Sequence, residues 1–143
     1  MYRLHVSVHL RPEAVQKTQR LTHQDRTIAA LDVAPEMLGD ALPVSFEETA
    51  ETLQLLPQLY FEPDGSFVYA NRDALYPEQL EGQLFDRDGR IMYVELKGVC
   101  SSEMFDAILQ SLGWPAIKLM FQLLREGFYL DEDQFRSWAS MSD

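Results

Sequence analysis

With a single cysteine, Cys100, the chain has no internal disulfide and no multi-cysteine zinc module. It also lacks long apolar runs: none exceeds four residues, as at Ile91–Val94, against the roughly 18 to 20 needed to span a bilayer. Arg3, His5 and His9 interrupt the N-terminal stretch that a secretory signal would need, so no export is expected and a reducing, cytoplasmic location follows. Seven glycines and seven prolines are too few for collagen-like or low-complexity sequence, and no repeat of 20 to 50 residues is present. Positive charge is scarce, with 12 Lys and Arg against 23 Asp and Glu and a net charge of -11. That balance disfavours a general nucleic-acid or anionic-membrane surface, where affinity comes from neutralising phosphates. What is present, 46% hydrophobic and 24% charged residues over 143, is the composition of one globular domain spanning 1–143.

The charge divides unevenly. Residues 1–26 hold five bases and two acids, whereas the remaining 117 hold seven bases and 21 acids. A basic N-terminal strand and connection therefore precede an acidic body over 45–143, an asymmetry expected of a segment that docks on an oppositely charged surface, either the body of its own fold or a partner. Tyr2, Leu4, Val6, Val8 and Leu10 alternate with Arg3, His5, Ser7 and His9, the period-two pattern of a half-buried strand. Residues 13–20, with Glu13 and Lys17 four apart, predict a short helix, and 27–44, with Pro35, Gly39 and Pro43, an irregular connection.

Ser45 followed by Glu48 forms a capping box that opens a helix from 46 to about 55. Two hairpins come next, each with a glycine-containing three-residue loop, Pro63-Asp64-Gly65 and Arg87-Asp88-Gly89. Pairing residues that sum to 128 places Leu59, Phe61, Phe67 and Tyr69 on one face. Pairing residues that sum to 176 does the same for Leu80, Leu84, Met92, Val94 and Leu96. Ser101 or Ser102 caps a helix carrying Phe105, Ile108, Leu109 and Leu112, stopped by Gly113; Pro115 starts another, with Ile117, Met120, Phe121 and Leu124 on its stripe. Asp131 opens a last helix, edged by Phe135, Trp138 and Ala139. Strands followed by helices predict an α+β fold: a mainly antiparallel sheet of two consecutive hairpins plus the N-terminal strand, with helices on one face.

The predicted second register sets Glu81 directly opposite Glu95, two carboxylates with Cβ atoms about 5 Å apart that require an offset. Water, Lys97 on the same face, or a divalent cation such as Mg²⁺ or Mn²⁺ could supply it. Leu80-Glu81-Gly82, Asp88-Gly89-Arg90 and Val94-Glu95-Leu96-Lys97, with the capped helices on either side, make residues 45–112 resemble the core of the PD-(D/E)xK nuclease-like superfamily. The resemblance implies a metal-dependent phosphodiesterase acting on nucleic acid, with Glu81 and Glu95 as metal-binding acids and Lys97 positioning or polarising the attacking water. Glu48 or Glu51 on the preceding helix would supply a further acid, and the metal would lower the pKa of its bound water.

Other residues have simpler roles. His5 and His9 lie about 13 Å apart along a strand, too far to share one ion. Cys100 precedes a helix start, but no histidine follows it in the chain to act as its base. Turn chemistry accounts for Asp86-Arg87-Asp88-Gly89 without calcium, and Asp131-Glu132-Asp133 reads as a helix start. Trp114, Phe128, Tyr129 and Trp138 complete a core or, where exposed, mark a partner surface. The reading is a non-catalytic α+β domain that acts through protein contacts, with a protein partner or self-association, no membrane and no cofactor. The alternative is the phosphodiesterase of Glu81, Glu95 and Lys97 with Mg or Mn, the one case with a nucleic-acid partner. A third option is a small-molecule binder using the sheet face that includes Tyr93.

Overall fold

A computed structural model describes residues 1–16, 18–73 and 75–140. All nine strands lie in one antiparallel sheet. In chain order these are β1 (Tyr2–Leu10), β2 (Thr18–His23), β3 (Arg26–Leu31), helix α1 (Phe46–Gln54), β4 (Leu59–Phe61), β5 (Ser66–Asn71), β6 (Glu78–Arg87), β7 (Arg90–Cys100), α2 (Ser102–Gln110), β8 (Leu119–Leu123), β9 (Tyr129–Leu130) and α3 (Glu132–Ala139). Across the sheet the order is β2-β3-β9-β8-β1-β7-β6-β5-β4. Because β7 and β8 each pair antiparallel with β1, they run parallel to each other, and α2 makes the crossover that parallel neighbours require.

All three helices pack on one face. Leu4, Val6 and Val8 of β1 share that face with Val94, Leu96, Leu84, Leu80, Tyr69, Phe67, Phe121 and Leu123, all buried. Phe105 of α2 meets Tyr2 and Phe121 with ring centroids 5.4 and 6.0 Å apart, and Phe135 of α3 stacks on Phe121 at 4.6 Å. Phe46 of α1 packs against Phe61, while the Thr49 hydroxyl donates to the Ser111 carbonyl at the end of α2. Gly82 is part of this packing, since a Cβ there would fall inside the ring of Phe67. The caps of α1, α2 and α3 form as their sequences suggest: Ser45, Ser101 and Asp131 accept from the amides of Glu48, Met104 and Gln134. Among the described residues no helix is long and apolar enough to cross a membrane.

Four expectations are corrected. The helix predicted over 13–20 gives way to β2, and the irregular connection over 27–44 begins with β3; Lys17, the partner proposed for Glu13, lies outside the described residues. Their hairpin turns on Gln24 and Asp25, both left-handed (φ 52° and 63°), a two-residue turn without the glycine or asparagine that advertises one. The helix predicted from Pro115 is replaced by β8. This strand is buried on both sides, Phe121 toward the helices and Met120 toward the opposite face, so its apolar run carries no period of two. The basic N-terminal strand takes one of its two expected places, the body of its own fold: β1 lies between β7 and β8 in the interior of the sheet.

The fourth correction concerns register. The first hairpin pairs as predicted, Leu59 with Tyr69 and Phe61 with Phe67. The second turns on Asp88 and Gly89 alone (φ 53° and 80°), with Arg87 opposite Arg90. A bulge then leaves Met92 unpaired between Ile91, opposite Asp86, and Tyr93, opposite Phe85. Turn and bulge together move the partner of every residue beyond them by two, which preserves the faces from Tyr93 onward and changes the neighbours, while Ile91 takes the core position predicted for Met92. Glu81 therefore stands opposite Lys97, not Glu95, and Glu95 stands opposite Gln83.

Candidate functional site: the uncovered half of the sheet

Strand alternation sends a second set of side chains to the face away from the helices, and register aligns them in rows. Reading from β4 toward β8, one row runs Tyr60, Val68, Glu81, Lys97, His5. The next runs Ser66, Gln83, Glu95, Ser7, Gln122, and a third Phe85, Tyr93, His9, Met120. Toward the opposite end lie Ala70, Gln79, Val99 and Arg3.

This face divides in two. On the β1, β8, β9 and β3 side, Val15 and the turn near Pro35–Met37 fold over it, and Val15, Leu31 and Met120 form a second small core with Val33, Met37 and Tyr129. Tyr93 continues that cover sideways, its ring stacked between Phe85 (4.6 Å) and His9 (5.2 Å). The His9 ring is held at 2.8 Å by the hydroxyl of buried Ser7, which lies 3.2 Å from the Gln122 side-chain oxygen. Burial pushes the His9 pKa down to about 4, so its imidazole is neutral at pH 7.

Among the described residues the β4 to β7 side has no such cover. Tyr60 is 73% exposed and Val68 41%, and Glu81, Gln79 and Lys97 are exposed beside them. Two shallow depressions lie here. One of about 570 Å³ is lined by Ala70, Arg72, Gln79, Glu81, Lys97 and Val99, and one of about 190 Å³ includes His5, Glu81, Gln83, Glu95 and Lys97. Leu75 and Tyr76, in the loop between β5 and β6, are further exposed apolar side chains. The adjoining edge is short. Only three residues of β4 pair, and Pro57 and Pro63, which lack an amide proton, bracket it, an arrangement that resists strand addition and leaves the face as the available contact.

The proposed catalytic residues Glu81, Glu95 and Lys97 do share this face, with Glu81 and Lys97 as direct cross-strand neighbours. Glu48 does not join them, nor does Glu51: both lie on α1, which packs on the helix-covered side. Among the described residues no group of three His, Cys, Asp or Glu side chains is placed to hold a metal ion. The carboxylate that is buried is another, Glu78, which accepts from the Ser101 amide at the start of α2 (2.5 Å) and lies 3.5 Å from the Asn71 amide nitrogen. Burial and, secondarily, the Glu78 carboxylate push the Cys100 thiol up to about 12, which leaves it without nucleophilic character at neutral pH.

Sequence reasoning missed Tyr60 and Val68, although the register that buries Leu59 and Phe67 already sends both to the other side. It also missed the clamp of Arg136, which bonds Asp106 at 2.7 Å, Glu132 at 2.9 Å and the Tyr2 hydroxyl at 3.2 Å and so ties α2, α3 and β1 together. Glu132 lies one turn away on the same helix, but Tyr2 and Asp106 come from distant segments that no local motif announces. No family model, no curated protein and no solved structure matches the chain.

Proposed function

We propose that this chain is a non-catalytic interaction domain that docks a protein on the uncovered half of its sheet. The observation that carries this is the pairing of exposed apolar Tyr60 and Val68 with unburied Glu81 and Lys97 on one rigid, hydrogen-bonded surface, while the other half of the same face is closed by its own chain. Apolar side chains ringed by charge on a shallow surface suit a protein partner better than a small molecule, which needs an enclosing pocket. A reducing, cytoplasmic setting fits the one cysteine, held as a buried thiol. The metal-dependent phosphodiesterase reading draws less support, because its three carboxylates lie on two sides of the sheet.

A photo-reactive benzophenone residue at position 68, compared with one at exposed position 51 on α1, tests the reading in the protein's native cells. A discrete cross-linked protein species from position 68 and none from 51 is the expected outcome; equal or absent cross-linking from both would remove it. A Mn²⁺ titration followed by NMR addresses the alternative: saturable broadening confined to Glu81 and Glu95, with cleavage of a nucleic acid that Glu95→Ala abolishes, would replace docking by catalysis.

A further inference from the structure

We infer that the occupant of the uncovered half-face is a second copy of this chain, packed face to face about a two-fold axis; this rests on the docking reading above. Three observations point there.

The first is charge. Most of the surface repels another copy: residues 27–71 contain eight acids and no Lys or Arg, and the whole chain carries -11. The uncovered half-face and its border combine both signs, with Glu81 and Glu95 beside Lys97 and Arg3. Two acidic molecules meet at least cost where each presents acid and base together.

The second is self-complementarity. Glu81 and Lys97 are cross-strand neighbours, yet among the described residues the ion pairs are those of Arg136, so neither charge is spent on the other. An axis lying in the interface, parallel to the strands and passing between β6 and β7, sets Glu81 of each copy against Lys97 of the other. The same operation sets Gln83 against Glu95 and carries exposed Val68 over His5. Each contact then occurs twice, as an isologous interface requires.

The third is area. Under this axis four strands overlap, β5, β6, β7 and β1; at about 4.8 Å spacing and with about six or seven residues of each at about 3.3 Å they give a face of about 450 Å², so two copies bury about 900 Å² in total, the size of a reversible, concentration-dependent interface. The two sheets then enclose Val68 and Ala70, with Tyr60 of β4 at the rim.

Light scattering on the full-length protein, across a dilution series at low salt, tests this directly. The expected mass is twice 16.5 kDa at high concentration. Lys97→Glu or Glu81→Lys alone places like charges opposite each other twice and should weaken association at least about tenfold, whereas the double exchange Glu81→Lys with Lys97→Glu should restore it. Both side chains are exposed, so the fold is retained, and circular dichroism verifies this; Val68→Asp is the independent variant and should be monomeric. A wild-type monomer at every concentration, a dimer indifferent to the single exchanges, or a double exchange that fails to restore the dimer would overturn the inference. If the wild type is monomeric while position 68 still cross-links a different protein, the second copy is excluded and docking stands. If it is monomeric and position 68 cross-links nothing, both fall.

Discussion

The two halves of the face turned away from the helices belong to one hydrogen-bonded sheet and differ in what lies over them. On one half, Val15 and the 33–37 segment return across the sheet and bury Met120 and Leu31 completely or nearly so. On the other, no segment among the described residues returns, and an apolar Val68 stays 41% exposed among charges. A sheet with one helix-covered side needs no second layer to be stable, as antiparallel sheets commonly leave one side wet. The covered half therefore belongs to folding, and the uncovered half is free to be used for contact.

Truncation at matched positions should break the comparison most visibly. Met120→Ala, in the covered half, should cost about 2–4 kcal/mol because it leaves a cavity in a dry cluster, and urea denaturation would measure it. If Met120→Ala proves nearly neutral, the second core is not a core.

The next largest effect is pH dependence through His9, at the border of the two halves. Its folded pKa of about 4 lies below the ordinary 6.5, so the unfolded chain takes up the proton first and stability falls as pH drops from about 6.5 toward 4. The loss is at most about 3 kcal/mol, reduced by the ring's partial contact with water. His9→Gln should flatten this part of the stability profile, and an unchanged slope would show that the His9 ring is solvated in the folded chain.

Smallest are the changes expected on the uncovered half. Val68→Ala and Lys97→Ala should each alter monomer stability by no more than about 0.5 kcal/mol, as surface substitutions without an ion pair do. Measured well below the concentration of any self-association, a larger loss would mean that this half is part of the core after all.

Local chemistry in the sequence led to the parts of the fold that local chemistry builds. The hydroxyl and carboxylate caps, the Gly65 turn and the alternation of β1 each act within a few residues, and each was legible. The missed strands failed for identifiable reasons. Gln24 and Asp25 occupy a left-handed turn that their identities do not signal, and β8 is apolar on both sides because two separate cores claim it. The candidate site was half legible. Parity put Glu81, Glu95 and Lys97 on one face, but their pairing depended on a bulge at Met92, whose cause is the burial of Ile91 beneath residues 42–44, a contact from another part of the chain.

The interior position of β1 has a consequence for the order of assembly. Its two neighbours come from residues 93–100 and 119–123, so the earliest strand to leave the ribosome waits for the last third of the chain before either edge is paired. Until then the β4 to β7 meander, whose contacts are local, can form alone with an open flank at β7. Sequence-distant closure of this kind slows folding and exposes an apolar strand edge meanwhile. The slow part of folding should accordingly be the pairing of β1 with β7 and then with β8.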